Sequence, residues 1–530
     1  MHDPLQLPDI LAVIFGLLDA SSNASNALVC KRWSDIALDE LWRELDDLEP
    51  LMRILAWDEE QNDYGVPTTA QWARYAIYSS RVRHLNLSDD RTDFETDFWG
   101  CLNRVSIHRP TLAMLPQLRH YQWNLSDRRF APLFFNSTVT TFNFVVEEVD
   151  EDMDEYSDKI LAQIVVARMP AIINLHLWWP ASYEPDATLV PMLLDGFPGL
   201  REIHLPLRAY TSDTYLRLSK LQYLRVIDFQ GSVEDSVVDP GPSEAGAEEY
   251  RPLELSHDAF PALSKLVLYL DPPQAATFIQ QDHFPIEQLQ SLFIYSKHAV
   301  APRTLPAFLD LLKTKCRSLG KLVMMLSGNT KKTLLGLDTE PDLLASFTLD
   351  TFRPILSYQE LAQLSVYNCA QPLDITDEEV VEIVRSLPRL KGLDLNCAPL
   401  HLSRPKLTLS SLALLSTHCP QLSYLSLYAD LDAPLSPFAQ SCSASFVALE
   451  KLCMGPAPLK KMSVRPAAIM LSRILRGFTE MFMGHDIRSF TEYSVSKWDI
   501  PQDRLDNWDE VAAAVELMVM ARKDERRTLG

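Results

Sequence analysis

Glycine is scarce, 16 residues in 530. Glycine-rich loops that cradle phosphate are therefore not expected, and neither a P-loop nor G-x-G-x-x-G occurs. The motifs G-x-S-x-G and H-E-x-x-H are missing too. Cysteine is limited to eight residues, scattered without a C-x-x-C pair. A chain this long is no disulfide-stapled miniprotein, and reduced thiols are expected. Basic residues are in deficit, 49 against 71 acidic, for a net charge of −22. Such a surface repels phosphate backbones and anionic membranes and attracts basic peptides. The longest early apolar run, Ile10 to Leu18, is about half of the ~20 residues a membrane span needs. Met1, His2 and Asp3 offer no basic signal-peptide start. The twelve histidines show no ligand-like pairing along the chain. The expectation is a cytoplasmic and/or nuclear protein with no cofactor, no metal, no nucleic acid and no membrane among its partners.

What is present is an ordinary globular balance, 47% hydrophobic and 23% charged, with 35 prolines. A core can form, and helices should stop often. In the N-terminal segment Leu7, Ile10, Leu11, Ile14 and Leu18 follow helical spacing, widened by Phe15 and Leu17. Pro8 suits a first helical turn and Asp9 the positive helix end. Ser21 to Asn23 reads as a break. A second helix then carries Leu28, Val29, Trp33, Ile36 and Ala37, and a third Leu38, Leu41, Trp42, Leu45 and Leu48. Three short helices bury little alone, so the dense apolar stripe predicts a standing protein interface.

These residues resemble the F-box. Leu7-Pro8, Ile10-Leu11, Ile14-Phe15 and Leu18-Asp19 match its first helix. Val29-Cys30-Lys31-Arg32-Trp33 and then Leu41-Trp42 match its later part. The family usually places a proline and an Asp-Leu pair after the first helix. Here Ala20, Ser22 and Asn23 stand there, which predicts a looser inter-helix turn. The resemblance implies docking on a Skp adaptor, and through it a cullin-RING complex. The implied adaptor-binding set is Leu7, Pro8, Ile10, Leu11, Ile14, Phe15, Leu18, Val29, Cys30, Trp33, Leu41 and Trp42.

The rest of the chain repeats L-x-x-L-x-L thirteen times, from Val82-Leu85-Leu87 to Leu449-Leu452-Met454. A proline marker precedes many of the repeats: Leu115-Pro116, Met169-Pro170, Phe197-Pro198, Phe260-Pro261, Leu387-Pro388 and Cys419-Pro420. A helix ends before each proline and the chain extends into a strand. The pattern resembles leucine-rich repeats. It implies an α/β solenoid, with parallel strands on a concave face and helices outside. The expected organisation is an F-box over 5–48, a helical linker over 49–81, a solenoid over 82–456 and a helical cap over 457–530. Two insertions are expected in the solenoid, an acidic one at 147–158 and a flexible one at 232–251. The acidic run fails the EF-hand register, because Glu155 and Leu161 fall where Gly and Glu are needed.

Cys316, Cys369 and Cys419 read as buried repeat positions, not nucleophiles. No catalytic residue is expected. Strand alternation sends the residue after L-x-L outward. That predicts an aromatic substrate-binding stripe of Trp178, Tyr269, Tyr295, Tyr367 and Tyr428, with Met325 and Asn396 between. The architecture resembles the large fungal class of F-box proteins. The implied function is substrate recruitment to an SCF-type ubiquitin ligase, a non-catalytic task. A non-degradative interaction scaffold is the alternative.

Overall fold

The computed structural model describes residues 7–58, 63–88, 96–124, 128–146, 158–180, 183–229, 253–326, 345–367, 369, 371–399, 401–475, 479–483 and 501–529. Residues 147–157 and the expected flexible insertion at 232–251 lie outside them. The chain divides into two compact units, residues 1–206 with 221–224, and residues 207–220 with 225–530.

The first unit opens with α1 (Pro8–Phe15), α2 (Ala20–Asn26) and α3 (Lys31–Leu41). Six parallel strands follow: β1 (Glu44–Leu45), β2 (His84–Ser88), β3 (His120–Asn124), β4 (Thr141–Val145), β5 (Asn174–Trp178) and β6 (Glu202–Leu205). They lie side by side in chain order. The second unit holds nine more: β7 (Val226–Phe229), β8 (Lys265–Leu268), β9 (Ser291–Tyr295), β10 (Lys321–Met325), β11 (Gln363–Tyr367), β12 (Gly392–Leu395), β13 (Tyr424–Leu427), β14 (Lys451–Gly455) and β15 (Glu480–Met483). These too are parallel and in chain order. Each unit is thus an open parallel sheet with helices between its strands.

All thirteen L-x-L pairs fall on strands. Their leucines form the buried layer, as with Leu85, Leu175, Leu292, Leu364 and Leu425. The proline marker has one geometry throughout. The amide three residues on donates to the carbonyl of the residue before the proline: Leu118 to Leu115, Ile172 to Met169, Leu200 to Phe197, Leu263 to Phe260, Leu390 to Leu387 and Leu422 to Cys419, all at 3.1–3.3 Å. Proline fixes φ at the second position of that turn, and the missing N–H costs no bond there. One of the scarce glycines is required. Gly455 has φ +57°, and a Cβ there would lie 1.8 Å from the Cys397 carbonyl oxygen.

Several expected boundaries shift. The second and third expected helices are one helix, α3, and Leu28 and Val29 lie in the turn before it. Leu45 is strand, so the sheet begins inside the stretch assigned to the F-box. The stretch 49–81 holds helices Glu49–Ala56 and Thr69–Ser79 and forms the first crossover, from β1 to β2. At the other end β15 pairs with β14, extending the sheet past 456. Helices Val464–Ile474 and Gln502–Leu529 pack together there. Trp508 is buried, with its Nε1 donating to the Ala457 carbonyl at 3.2 Å. Asp158 belongs to the helix Asp158–Arg168, not to an acidic insertion. It is buried and accepts from Tyr183 Oη and the Asp186 amide.

Candidate functional site: the exposed apolar surface of the N-terminal helices

α1 starts as its sequence dictates, with Pro8 in the first turn and Asp9 beside it. α2 is capped by Asp19, whose carboxylate accepts from the Ser22 amide at 2.7 Å. That bond holds the Asp19 carboxyl below its ordinary range. Asn23, where the family usually has leucine, is buried. Its Nδ2 donates to the Phe15 carbonyl at 2.9 Å. The turn expected to be loose is therefore closed by a side-chain amide, a second donor to a carbonyl that also accepts from the Leu18 amide at 3.1 Å.

The core of this domain is Leu11, Phe15 and Ala37, with Ile14, Ala27, Trp33 and Ile36 packed against it. Trp33 meets Phe15 edge-on at 5.5 Å. The implied adaptor set therefore splits. Leu11 and Phe15 are core and are unavailable to a partner. Ile14, Trp33 and Leu41 are half-buried. Trp42 packs on Tyr78 at 5.0 Å and so serves the junction with the first crossover. The exposed members are Leu7, Pro8, Ile10, Leu18, Val29 and Cys30. Three residues outside the expected set join them, Val13 at 67%, Leu17 at 83% and Leu28 at 88% exposure. Apolar side chains this exposed, on helices with so small a core, form a surface that water disfavours.

The junction is short. α3 ends at Leu41 and β1 begins at Glu44. The amides of Arg83 and His84 both donate to the Arg43 carbonyl at 2.9 Å. Arg81 pairs with Asp35 and Asp39 of α3 and donates to the Asp35 carbonyl at 2.9 Å. The helical domain and the sheet are thus tied by backbone and by ions.

The outward strand faces differ from expectation. Tyr295, Tyr367 and Tyr428 are buried, and Trp178 and Tyr269 half-buried. Tyr295 and Tyr367 lie in an apolar cluster with Leu207, Val267, Phe293, Val323 and Met325, against which Tyr269 packs. They are corrected from a binding stripe to core, because both faces of these strands are covered. Asn396 is buried as well. Its amide side chain joins repeats, accepting from the Cys369 amide and donating to the Gln371 carbonyl. The sequence signal for this burial was present: unbroken apolar runs in place of alternation.

In the first unit the outward face is polar. His84, His120, Thr141, Asn174 and Glu202 stand in one cross-strand row, and Asn86, Gln122, Asn143, His176 and His204 in the next. A cavity of about 370 Å³ opens among them, lined by Glu44, Asp46, His84, Asn86, His120 and Gln122. Partial burial, then the nearby His84, holds the His120 imidazole below its ordinary pKa. This row escaped sequence reasoning because its members are about thirty residues apart along the chain.

Three of the cysteines are held in the thiol form. Burial pushes the Cys316 thiol up to about 12. Cys369 and Cys419 are also raised by burial. A thiol held protonated is a poor nucleophile. No described helix is long and apolar enough to cross a membrane.

The family described as F-box-like matches residues 6–47. Similar solved structures include the yeast Rad7 and Elc1 complex, at 14% identity over 66% of this chain and 82% of that one, with a TM-score of 0.33. Another is the leucine-rich repeat-containing protein LegL7 from Legionella pneumophila, at 11% identity over 71% and 91% of the two chains, with a TM-score of 0.28. No curated protein matches the chain. The chain carries an F-box-like domain at its N-terminus, followed by parallel-sheet repeats of leucine-rich type.

Proposed function

We propose that this chain is the substrate-recruiting subunit of an SCF-type cullin-RING ubiquitin ligase. One observation carries the reading. An F-box-like domain with a core of Leu11, Phe15 and Ala37 leaves Leu7, Ile10, Val13, Leu17, Leu28 and Val29 in water. A Skp adaptor covering that surface removes the cost of its exposure, and buried anchors of this kind dominate such interfaces. Catalysis then belongs to other subunits, and this chain contributes proximity. The place of action is the cytoplasm or nucleus, where such ligases work.

With Tyr295, Tyr367 and Tyr428 buried, our reading puts the substrate surface on the polar face of the first unit. Its amides and imidazoles offer hydrogen bonds to an extended peptide. Glu44 and Asp46, at the cavity, favour a basic side chain there.

The test is binding of purified Skp adaptor to the full chain and to Leu28→Asp and Val29→Asp. Both sites are exposed, so folding should survive, as circular dichroism can check. Affinity should fall at least about tenfold in each, the ~1.4 kcal/mol equivalent for a lost interface anchor. A folded wild-type chain that ignores the adaptor would overturn the reading.

A further inference from the structure

The polar face of the first unit brings together three side chains with metal-ligating chemistry. His176 on β5 and His204 on β6 are cross-strand partners. Glu202 lies two residues before His204, so strand alternation puts it on the same face. Each offers a ligand atom, and these atoms all lie within 4.8 Å of one another. Among the described residues no other three ligating side chains meet so closely. His204 Nε2 is already 2.6 Å from Glu202 Oε1, with the two side chains 15% and 36% exposed.

We propose that His176, Glu202 and His204 bind a divalent transition metal of the Zn²⁺ class. Two imidazoles and one carboxylate are a borderline-soft donor set that suits Zn²⁺ and disfavours Mg²⁺ or Ca²⁺, which want oxygen. Tetrahedral Zn²⁺ with bonds of ~2.1 Å sets its donors about 3.4 Å apart. The widest separation in the cluster must therefore contract by little more than an ångström, and the 2.6 Å pair must open slightly. Register already places the three residues as neighbours on one face.

One rearrangement is required. The two imidazoles are stacked, with centroids 4.0 Å apart and planes within 8° of parallel. A metal lies in the plane of each imidazole that binds it, so two parallel rings cannot share one ion. Rotation of one ring about its Cβ–Cγ bond lets the planes intersect. Three protein ligands leave the fourth position open to water or to a side chain from a bound protein. A related trio sits across the same face, where His84 Nδ1 is 3.2 Å from Glu44 Oε1 and the His84 and His120 rings are 4.3 Å apart at 48°. It supplies an internal control.

The inference does not depend on the adaptor role, and the experiment reads metal directly. The full chain, reduced and stripped of metal, is titrated with Zn²⁺ against a chromogenic chelator, and separately with Co²⁺ for its absorption spectrum. One equivalent should bind, and Co²⁺ should show d–d bands without a thiolate charge-transfer band. His176→Gln, His204→Gln and Glu202→Gln should each weaken binding by about 10–100-fold or more, since even outer partners of a metal site are worth that much. Zn²⁺ should raise the melting temperature of the wild type and of His84→Gln, but not of folded His204→Gln. No retained Zn²⁺ in the wild type, equal affinity in folded His176→Gln and His204→Gln, or a thiolate band would each overturn the proposal.

Discussion

The two units use one repeat and finish it in opposite ways. In the first, the strands read HLNLS, HYQWN, TFNFV and NLHLW, and burial alternates strictly along each. In the second, KLVL, SLFIY, KLVMM and QLSVY are buried at every position after the first. The inward leucines are common to both. The residue between them decides the outer face: Asn86, Gln122, Asn143 and His176 in one, Val267, Phe293 and Val323 in the other. A parallel strand covered on both sides has no use for a polar residue, and one that faces water on one side gains from it. Toward its C-terminal repeats the second unit buries polar residues on that face too. Ser365, Asp394 and Ser426 are each 0% exposed.

The contrast can be broken by mutation, and the largest effect should come from the second unit. Phe293→Ala should destabilise it by about 3–5 kcal/mol, as a buried aromatic truncation does, seen as a fall in denaturant midpoint. A midpoint within error of the wild type would mean the outer face of the second unit is not core.

Asp394 should give the next effect. Burial pushes its carboxyl up to about 7, against a hydrogen bond from Tyr424 that pulls the other way. Its folded pKa lies above the unfolded value near 4, so between them the native state binds the extra proton. Stability of the second unit should therefore fall as pH rises from about 4 to about 7, by a few kcal/mol at most. Asp394→Asn should abolish that slope in melts across the range. In the first unit His120 is shifted downward. There the unfolded chain binds the extra proton, so stability should fall slightly as pH drops below the ordinary histidine range, the reverse sign. Identical slopes in Asp394→Asn and the wild type would remove this distinction between the units.

Asn23→Ala should cost about 0.5–1.5 kcal/mol, because it strips one of the two hydrogen bonds that reach the Phe15 carbonyl. Thermal melts of the wild type and variant measure it. The smallest effect should be Gln122→Ala on the polar face, within about 0.5 kcal/mol. Loss of a bound substrate without loss of stability in that variant would sharpen the assignment of the binding face.

Much of this was legible in the sequence. The thirteen triplets and the six proline corners have local causes, helix termination and strand alternation, so they could be placed residue by residue. Errors gathered where tertiary cover decides. Tyr295 and Tyr367 satisfy the outward rule, yet the outward side of their strands is buried. The run Leu292-Phe293-Ile294-Tyr295 says as much when read as a two-sided strand. Leu11 and Phe15 belong to the matched F-box positions, but a domain this small must use some of them for its own core. The array was also ended one strand early, though Phe478, Met481 and Met483 keep the spacing. At the start, Asp47 falls where a third leucine would stand, so the two-residue β1 left no triplet to find. The approach of His176, Glu202 and His204 depends on register, which spacing alone does not reveal.

The brevity of the passage from α3 to β1 has a mechanical consequence. Two residues separate α3 from β1, and Arg81 at the end of the crossover pairs with α3, so little slack lies between the helices and the sheet. Inserting one residue there would either turn the helix by about 100° or exchange the faces of Glu44 and Leu45. Orientation is thus transmitted as through a welded bracket. Whatever seizes the exposed leucines also sets the bearing of the polar face, in azimuth as well as distance.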